Sequence, residues 1–204
     1  MLFEHWIYST AIAIIAGMVY YRVTGRDLMW LIIASAYVPD ADMFADQVLS
    51  SIGISLLVNG RPISHGDFHN IAIMLIYAGG MALLLHPLGF RLADSFLFGA
   101  AGFAAHLLED ALVAAPAYSF LWPLSAQRFG IGMFSYSTDF YGIGDREVLL
   151  AGVVFLELSF IMRTIYEGRG WIGRSIRSVS SAFRPLPSLP WTSVSYLYEE
   201  RENS

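Results

Sequence analysis

Cysteine and lysine are both absent from the 204 residues. Without cysteine there is no disulfide, no thiolate nucleophile and no thiolate ligand, so His, Asp and Glu remain as the strong metal ligands. Without lysine there is no Schiff-base chemistry, and all 12 basic residues are arginine. Charge of either sign is scarce: 14% of the chain is charged, against about 25% in an ordinary soluble domain. A net charge of −5 argues against a nucleic-acid partner, which needs a basic footprint. What fills the chain instead is apolar, 56% hydrophobic with 15% aromatic. That composition describes an all-α, polytopic integral membrane protein with lipid as its surroundings, because a chain in hydrocarbon must satisfy its backbone within helices or a closed barrel.

The apolar runs predict about five membrane helices. The first covers residues 5–21; Glu4 and His5 precede it where a secretory signal would carry positive charge, so it reads as a retained helix. The second, residues 28–38, covers about half of the ~20 residues needed to cross a bilayer. It then meets Pro39-Asp40-Ala41-Asp42, and the proline forces its predecessor out of helical geometry. The result is a helix broken at Pro39 with two carboxylates near membrane depth, tolerated only against a protein-lined or wet cavity. Residues 43–58 read as an interfacial helix or loop. Ser64 and Asp67 have the spacing of a capping box, which starts a third helix through residues 70–85 and places His65 and His69 in its first turns, on one face. His86-Pro87 ends it. A fourth helix follows over 92–115, then a glycine-punctuated aromatic loop over 116–145 whose Phe120-Leu121-Trp122-Pro123 reads as an interfacial belt and lid. A fifth helix spans 148–166. Residues 1–166 thus form the membrane-embedded domain, and residues 167–204, rich in Arg, Ser and Pro, read as a disordered tail.

His106 and Asp110 stand inside the fourth helix, one turn apart on one face. Lipid penalises such groups, so they face a bundle interior, pair with each other or mark a functional site. Arginine placement orients the bundle: Arg22, Arg26, Arg91, Arg163, Arg169, Arg174, Arg177, Arg184 and Arg201 fall on one side, Arg61, Arg128 and Arg146 on the other. Lys/Arg excess marks the cytoplasm, so the N-terminus is expected outside and the tail in the cytoplasm. The same count gathers His5, Asp40, Asp42, His65, His69, His106 and Asp110 on the outer side, from separate parts of the chain. His86 falls on the cytoplasmic end as an interfacial residue. Imidazoles with carboxylates fit one or two divalent ions, zinc first and manganese or magnesium next. Two-metal hydrolytic sites space their ions about 3.5–4 Å apart. Asp42 and Asp110 are the candidate catalytic carboxylates, one of them serving as general base. Glu109 points about 100° away around the helix and is expected to lie outside the site.

In order along the chain, His5, Pro39-Asp40-Ala41-Asp42, Arg61-Pro62-Ile63-Ser64-His65, His106-Leu107-Leu108-Glu109-Asp110 and Leu121-Trp122-Pro123-Leu124 resemble the motifs of the predicted membrane-bound, metal-dependent hydrolases. That family includes LexA-regulated inner-membrane proteins. The resemblance covers the first two-thirds of the chain and implies a helical membrane protein with a metal site; His65 and His69 both stand as its candidate histidine ligands. The expected activity is metal-dependent hydrolysis of a phosphoester or ester, of lipid or of a lipid-linked substrate, at the outer interface of the cell membrane. A different reading is a non-catalytic membrane protein whose His/Asp network, with or without metal, holds helices together while the arginine-rich tail docks a partner or anionic lipid. An open coordination position separates the two, since structural sites are closed by protein ligands.

Overall fold

Four of the expected runs form long helices in the computed structural model, which describes residues 2–55, 57–58, 60–113, 118–133 and 146–182. They are α1 (Leu2–Thr24), α4 (Ile71–Leu85), α5 (Leu92–Val113) and α6 (Arg146–Glu167). At 1.5 Å per residue, 22 residues reach about 33 Å, enough for a ~30 Å hydrocarbon core. Among the described residues these are the helices long and apolar enough to cross a membrane, α4 extending to Leu88 in that count. The expected second span is the short helix α2 (Met29–Ser35), followed by a 3-10 turn over Pro39–Ala41 and then α3 (Asp42–Ser51). The break therefore comes at Ser35, before Pro39. Two two-residue strands, β1 (Leu57–Val58) and β2 (Arg61–Pro62), pair antiparallel in a tight hairpin and complete an otherwise helical fold.

Contacts at the two ends fix the helix directions. Tyr8 near the start of α1 donates to the Val148 carbonyl near the start of α6, while Asp27, just past α1, pairs with Arg163 near the end of α6. The two helices run parallel. Arg26 lies 3.6 Å from Asp94 at the start of α5, and His5 meets Glu109 near its end, so α5 runs the other way. The core between them is built on α2, whose Leu31 and Ile32, with Leu28 just before it, pack with Ala13, Leu85 and Phe98. Gly102 lets α5 press against α2: a Cβ there would meet the Ile32 carbonyl oxygen and sit 2.7 Å from Ser35 Cβ. Outward, α4 exposes Ile76 and Leu83 and α6 exposes Leu158 and Ile165, as a helix bordered by lipid does.

At the end remote from His5, residues expected to belong to a disordered tail form α7 (Trp171–Ala182). Its inner face is polar. Asp27 accepts from Arg163 at 2.5 Å and from Ser175 Oγ at 2.5 Å, and Ser178 Oγ donates to the Asp27 carbonyl. Arg163 is fully buried, its guanidinium 4.6 Å from the Trp171 ring centre, and Glu167 pairs with both Arg163 and Arg174. The helix is thus held by charge and serine hydroxyls, while its apolar residues at helical spacing, Ile172, Ile176 and Val179, lie on the exposed side. Residues 183–204, with Arg184 and Arg201, lie outside the described residues, as do residues 116–117 and 134–145 of the expected loop.

Candidate metal centre

The break after α2 is what delivers the first carboxylates. With the helix ended, the turn Pro39–Ala41 carries Asp40 and Asp42 under the end of α5, where His106 and Asp110 emerge one turn apart. The segment before α4 arrives from the other side with His65 and His69. It does so as a loop, because the capping expectation fails in detail: α4 begins at Ile71, and its cap is Asn70, whose side chain accepts from the Ile73 amide. Ser64 and Asp67 instead close a turn around Arg61, which grips Asp67 through two hydrogen bonds of 2.9 and 2.8 Å and also contacts Ser64 Oγ. His65 and His69 therefore sit in that loop and do not share a helical face. His69 is buried and the side chain of His65 is 47% exposed.

Asp42 holds the loop in place. Its Oδ2 accepts from the Gly66 amide at 2.8 Å and the Phe68 amide at 3.1 Å, and its Oδ1 lies 3.2 Å from His65 Nδ1. His69 Nδ1 lies 3.4 Å from Oδ2. Gly66 has φ near +99°, a left-handed conformation that favours glycine, and a Cβ there would run into the Tyr118 ring. Burial alone would raise the Asp42 carboxyl, but hydrogen bonds from His65, His69 and the Phe68 amide outweigh it and hold the group well below the usual carboxylate range. For His69 burial works against the charged form, yet Asp40, Asp42 and Asp110 around it raise the imidazole to about 9.

Around this anchor the donors converge. His106 Nε2 is 3.3 Å from His69 Nε2, 3.6 Å from Asp40 Oδ1 and 3.5 Å from Asp110 Oδ2. His69 Nε2 is 3.4 Å from each of the same two oxygens. Asp110 Oδ2 is buried without a hydrogen-bond partner. His5 stacks on His106 with ring centres 3.8 Å apart, and its Nε2 lies 3.6 Å from Asp110 Oδ1. The sets His5/Asp40/His106, Asp40/His65/His69 and His69/His106/Asp110 each bring ligand atoms within 4.8 Å of one another, a spacing that could hold an ion. His86 stands apart, exposed and 3.2 Å from the Phe90 carbonyl.

Two further side chains belong here. Glu109 is buried and its Oε2 accepts from His5 Nδ1 at 2.8 Å. Reasoning from the α5 wheel alone put it outside the site, but the face it occupies is the one α1 packs against. Tyr118 Oη lies 2.9 Å from His65 Nε2, and its ring covers His69 with centres 4.2 Å apart. Within the aromatic loop, the Phe120 carbonyl accepts from the Ile71 amide at 2.9 Å, so this segment is tied to the start of α4. Glu109 could have been flagged as a third acid in a lipid-depth helix; nothing in its sequence neighbourhood marks Tyr118.

The fold and this cluster define a polytopic helical membrane protein with a buried His/Asp constellation at one end of its bundle. The chain belongs to the YdjM inner membrane protein family, whose profile matches residues 1–170. No curated protein and no solved structure matches it.

Proposed function

We propose that the chain is a membrane-bound hydrolase dependent on a divalent metal, zinc first and manganese or magnesium next, that cleaves a phosphoester or ester of a lipid or lipid-linked substrate. The observation that carries this reading is the common orientation of three imidazoles. His106 Nδ1 donates to the Ala36 carbonyl at 2.7 Å, His5 Nδ1 to Glu109, and His69 Nδ1 faces Asp42. A carbonyl can only accept, so in His106 the Nδ1 carries the proton and the Nε2 keeps its lone pair. Each ring turns Nε2 inward, the carboxylate- or carbonyl-backed arrangement that metal-ligating histidines use. Donors around one zinc at ~2.0–2.2 Å stand roughly 3.3–3.6 Å apart in tetrahedral geometry, and His69 Nε2 and His106 Nε2 lie 3.3 to 3.6 Å from each other, from Asp40 Oδ1 and from Asp110 Oδ2. Asp110 Oδ2, buried with no hydrogen bond and close to both Nε2 atoms, is placed to share a cation with them.

A bound divalent ion supplies an activated water and polarises the phosphoryl or carbonyl oxygen of the substrate. The chain's own groups then divide by what their atoms are already doing. Asp42, expected as a catalytic carboxylate, has its oxygens spent on two amides and two imidazoles, so it positions His65 and His69 and does not serve as a base. Asp110 keeps an oxygen free of hydrogen bonds and is the carboxylate able to accept a proton or a metal. His65 and Tyr118 close the solvent side, and His65's exposed edge leaves an approach that a closed structural site would lack. The arginine distribution orients this end outward and α7 towards the cytoplasm.

The test is metal analysis of the detergent-purified protein with hydrolysis assays on phosphoester and carboxylic ester lipids. Wild type is expected to carry at least one equivalent of divalent metal and to lose and regain activity on chelation and re-addition; His106→Ala and Asp110→Ala lose both. Full metal occupancy in His106→Ala, or activity untouched by chelation, removes the reading.

A further inference from the structure

The outer face of α6 carries one carboxyl group at the depth where lipid tolerates it least. Glu157 stands about 16 Å along the helix from Arg146 and about 15 Å from Glu167 at 1.5 Å per residue, in the middle of a span long and apolar enough to cross a membrane. The buried face of α6 is Val148, Gly152, Ser159 and Arg163. Glu157 comes about two and a half turns after Val148, so it points away from the bundle. It is exposed, and it makes no hydrogen bond or ion pair among the described residues. Ionisable groups within membrane segments face a bundle interior or pair with one another. Glu157 does neither within one copy of the chain.

Its surroundings narrow what can meet it. The basic residues of the four long helices, Arg22, Arg146 and Arg163, lie near helix ends, and Arg163 is already paired with Asp27. No cation of this chain is therefore offered at mid-depth. A second copy offers the carboxyl itself. Copies in one membrane share one topology, so a two-fold axis between them runs along the membrane normal and brings each residue to its counterpart at equal depth. A protonated carboxyl has an O–H donor beside its acceptor oxygens, so two of them satisfy each other. The face around Glu157 has the matching form: Leu150, Val154, Glu157 and Ile161 follow alternating four- and three-residue steps, the seam of two helices crossing at about 20°. Leu150, Val154 and Ile161 are each more than half exposed. A lone polar residue in such a seam fixes its register, and polar side chains hydrogen-bonded across helices hold membrane bundles together.

We propose that α6 pairs in parallel with α6 of a second copy of this chain, the two Glu157 carboxyl groups hydrogen-bonding to each other at mid-membrane. The pairing is independent of the metal reading, and it sets the two His/Asp clusters on the same side of the membrane. The test mixes donor- and acceptor-labelled full chains, each labelled at Gly170→Cys, in phospholipid vesicles of increasing lipid-to-protein ratio. Energy transfer should persist on dilution for wild type and for Glu157→Gln, whose amide both donates and accepts. Glu157→Leu should need at least fivefold more protein per lipid for half-maximal transfer, with thermal unfolding in detergent no lower than wild type. In the otherwise cysteine-free chain, Val154→Cys or Ile161→Cys should cross-link copies on oxidation, and Ile76→Cys, at a 70% exposed position on α4, should not. Wild type without energy transfer at any ratio, a Glu157→Leu titration that overlays wild type, or cross-linking through Ile76→Cys in place of the two α6 positions each overturns the proposal.

Discussion

Replacing Glu109 by glutamine isolates what a backing carboxylate does for a ligand one shell removed. The change keeps side-chain length and leaves an amide oxygen that can still accept from His5 Nδ1, whose present partner is 2.8 Å away. It removes the negative charge that makes the imidazole a stronger base. Loss of such a partner typically lowers metal affinity 10–100-fold, which is about 1.4–2.7 kcal/mol of binding free energy. On the proposed metal reading His5 is one donor among several, so the number of ions bound at saturation should not change. Competition against a chelator of known affinity, run on wild type and Glu109→Gln, should therefore shift in midpoint while reaching the same plateau. His5→Ala should show an equal or larger shift, and the double variant should add little, because both act through one ring. An unshifted midpoint for Glu109→Gln in folded protein would refute the assignment and return Glu109 to a purely structural part.

At the far end, Asp27→Asn leaves the buried Arg163 with only Glu167, which Arg174 also shares, and removing one partner from a buried pair costs up to about 3–5 kcal/mol; thermal unfolding in detergent should show a clear drop, with α7 becoming sensitive to protease. In the metal-free protein, His69 has a folded pKa of about 9 against about 6.5 unfolded. Its contribution to stability should be complete below pH 6.5 and disappear as the pH rises towards 9, and His69→Ala should flatten that slope in melts taken from pH 6 to 10. Cysteines placed singly at Gln127 and Gly170, both exposed, report the orientation. A membrane-impermeant thiol reagent should label Gln127→Cys and spare Gly170→Cys in intact cells, and the reverse pattern would place the cluster on the cytoplasmic side.

The helices were legible because hydrocarbon imposes length and apolarity on each of them, and the gathering of His5, Asp40, Asp42, His65, His69, His106 and Asp110 followed from counting which chain ends share a side. What escaped depends on partners remote in sequence. Glu109 looked peripheral on its own helix and is interior only because α1 closes over it. Ser64 and Asp67 carry a cap's spacing, but Arg61 offers Asp67 a charged, two-pronged partner stronger than a helix amide, and the cap passes to Asn70. The α7 segment was passed over although Ile172, Ile176 and Val179 repeat at helical spacing, because the face it buries is Trp171 with serines whose hydroxyls serve Asp27.

The Ala36 carbonyl has a consequence for any mutational survey of this chain. Because α2 stops at Ser35, this oxygen is available to His106, and the proton of the most buried imidazole is placed by a peptide group. Every amino acid at position 36 carries that oxygen, so substitutions there act through packing alone and will score as tolerant wherever the small buried volume is respected. Sensitivity should surface instead at Pro39: a residue that lets the helix run on would draw the carbonyl into the ladder and turn His106 to its other tautomer. Control of where the His106 proton sits is thus written in a chain break, three residues away from the atom that exerts it.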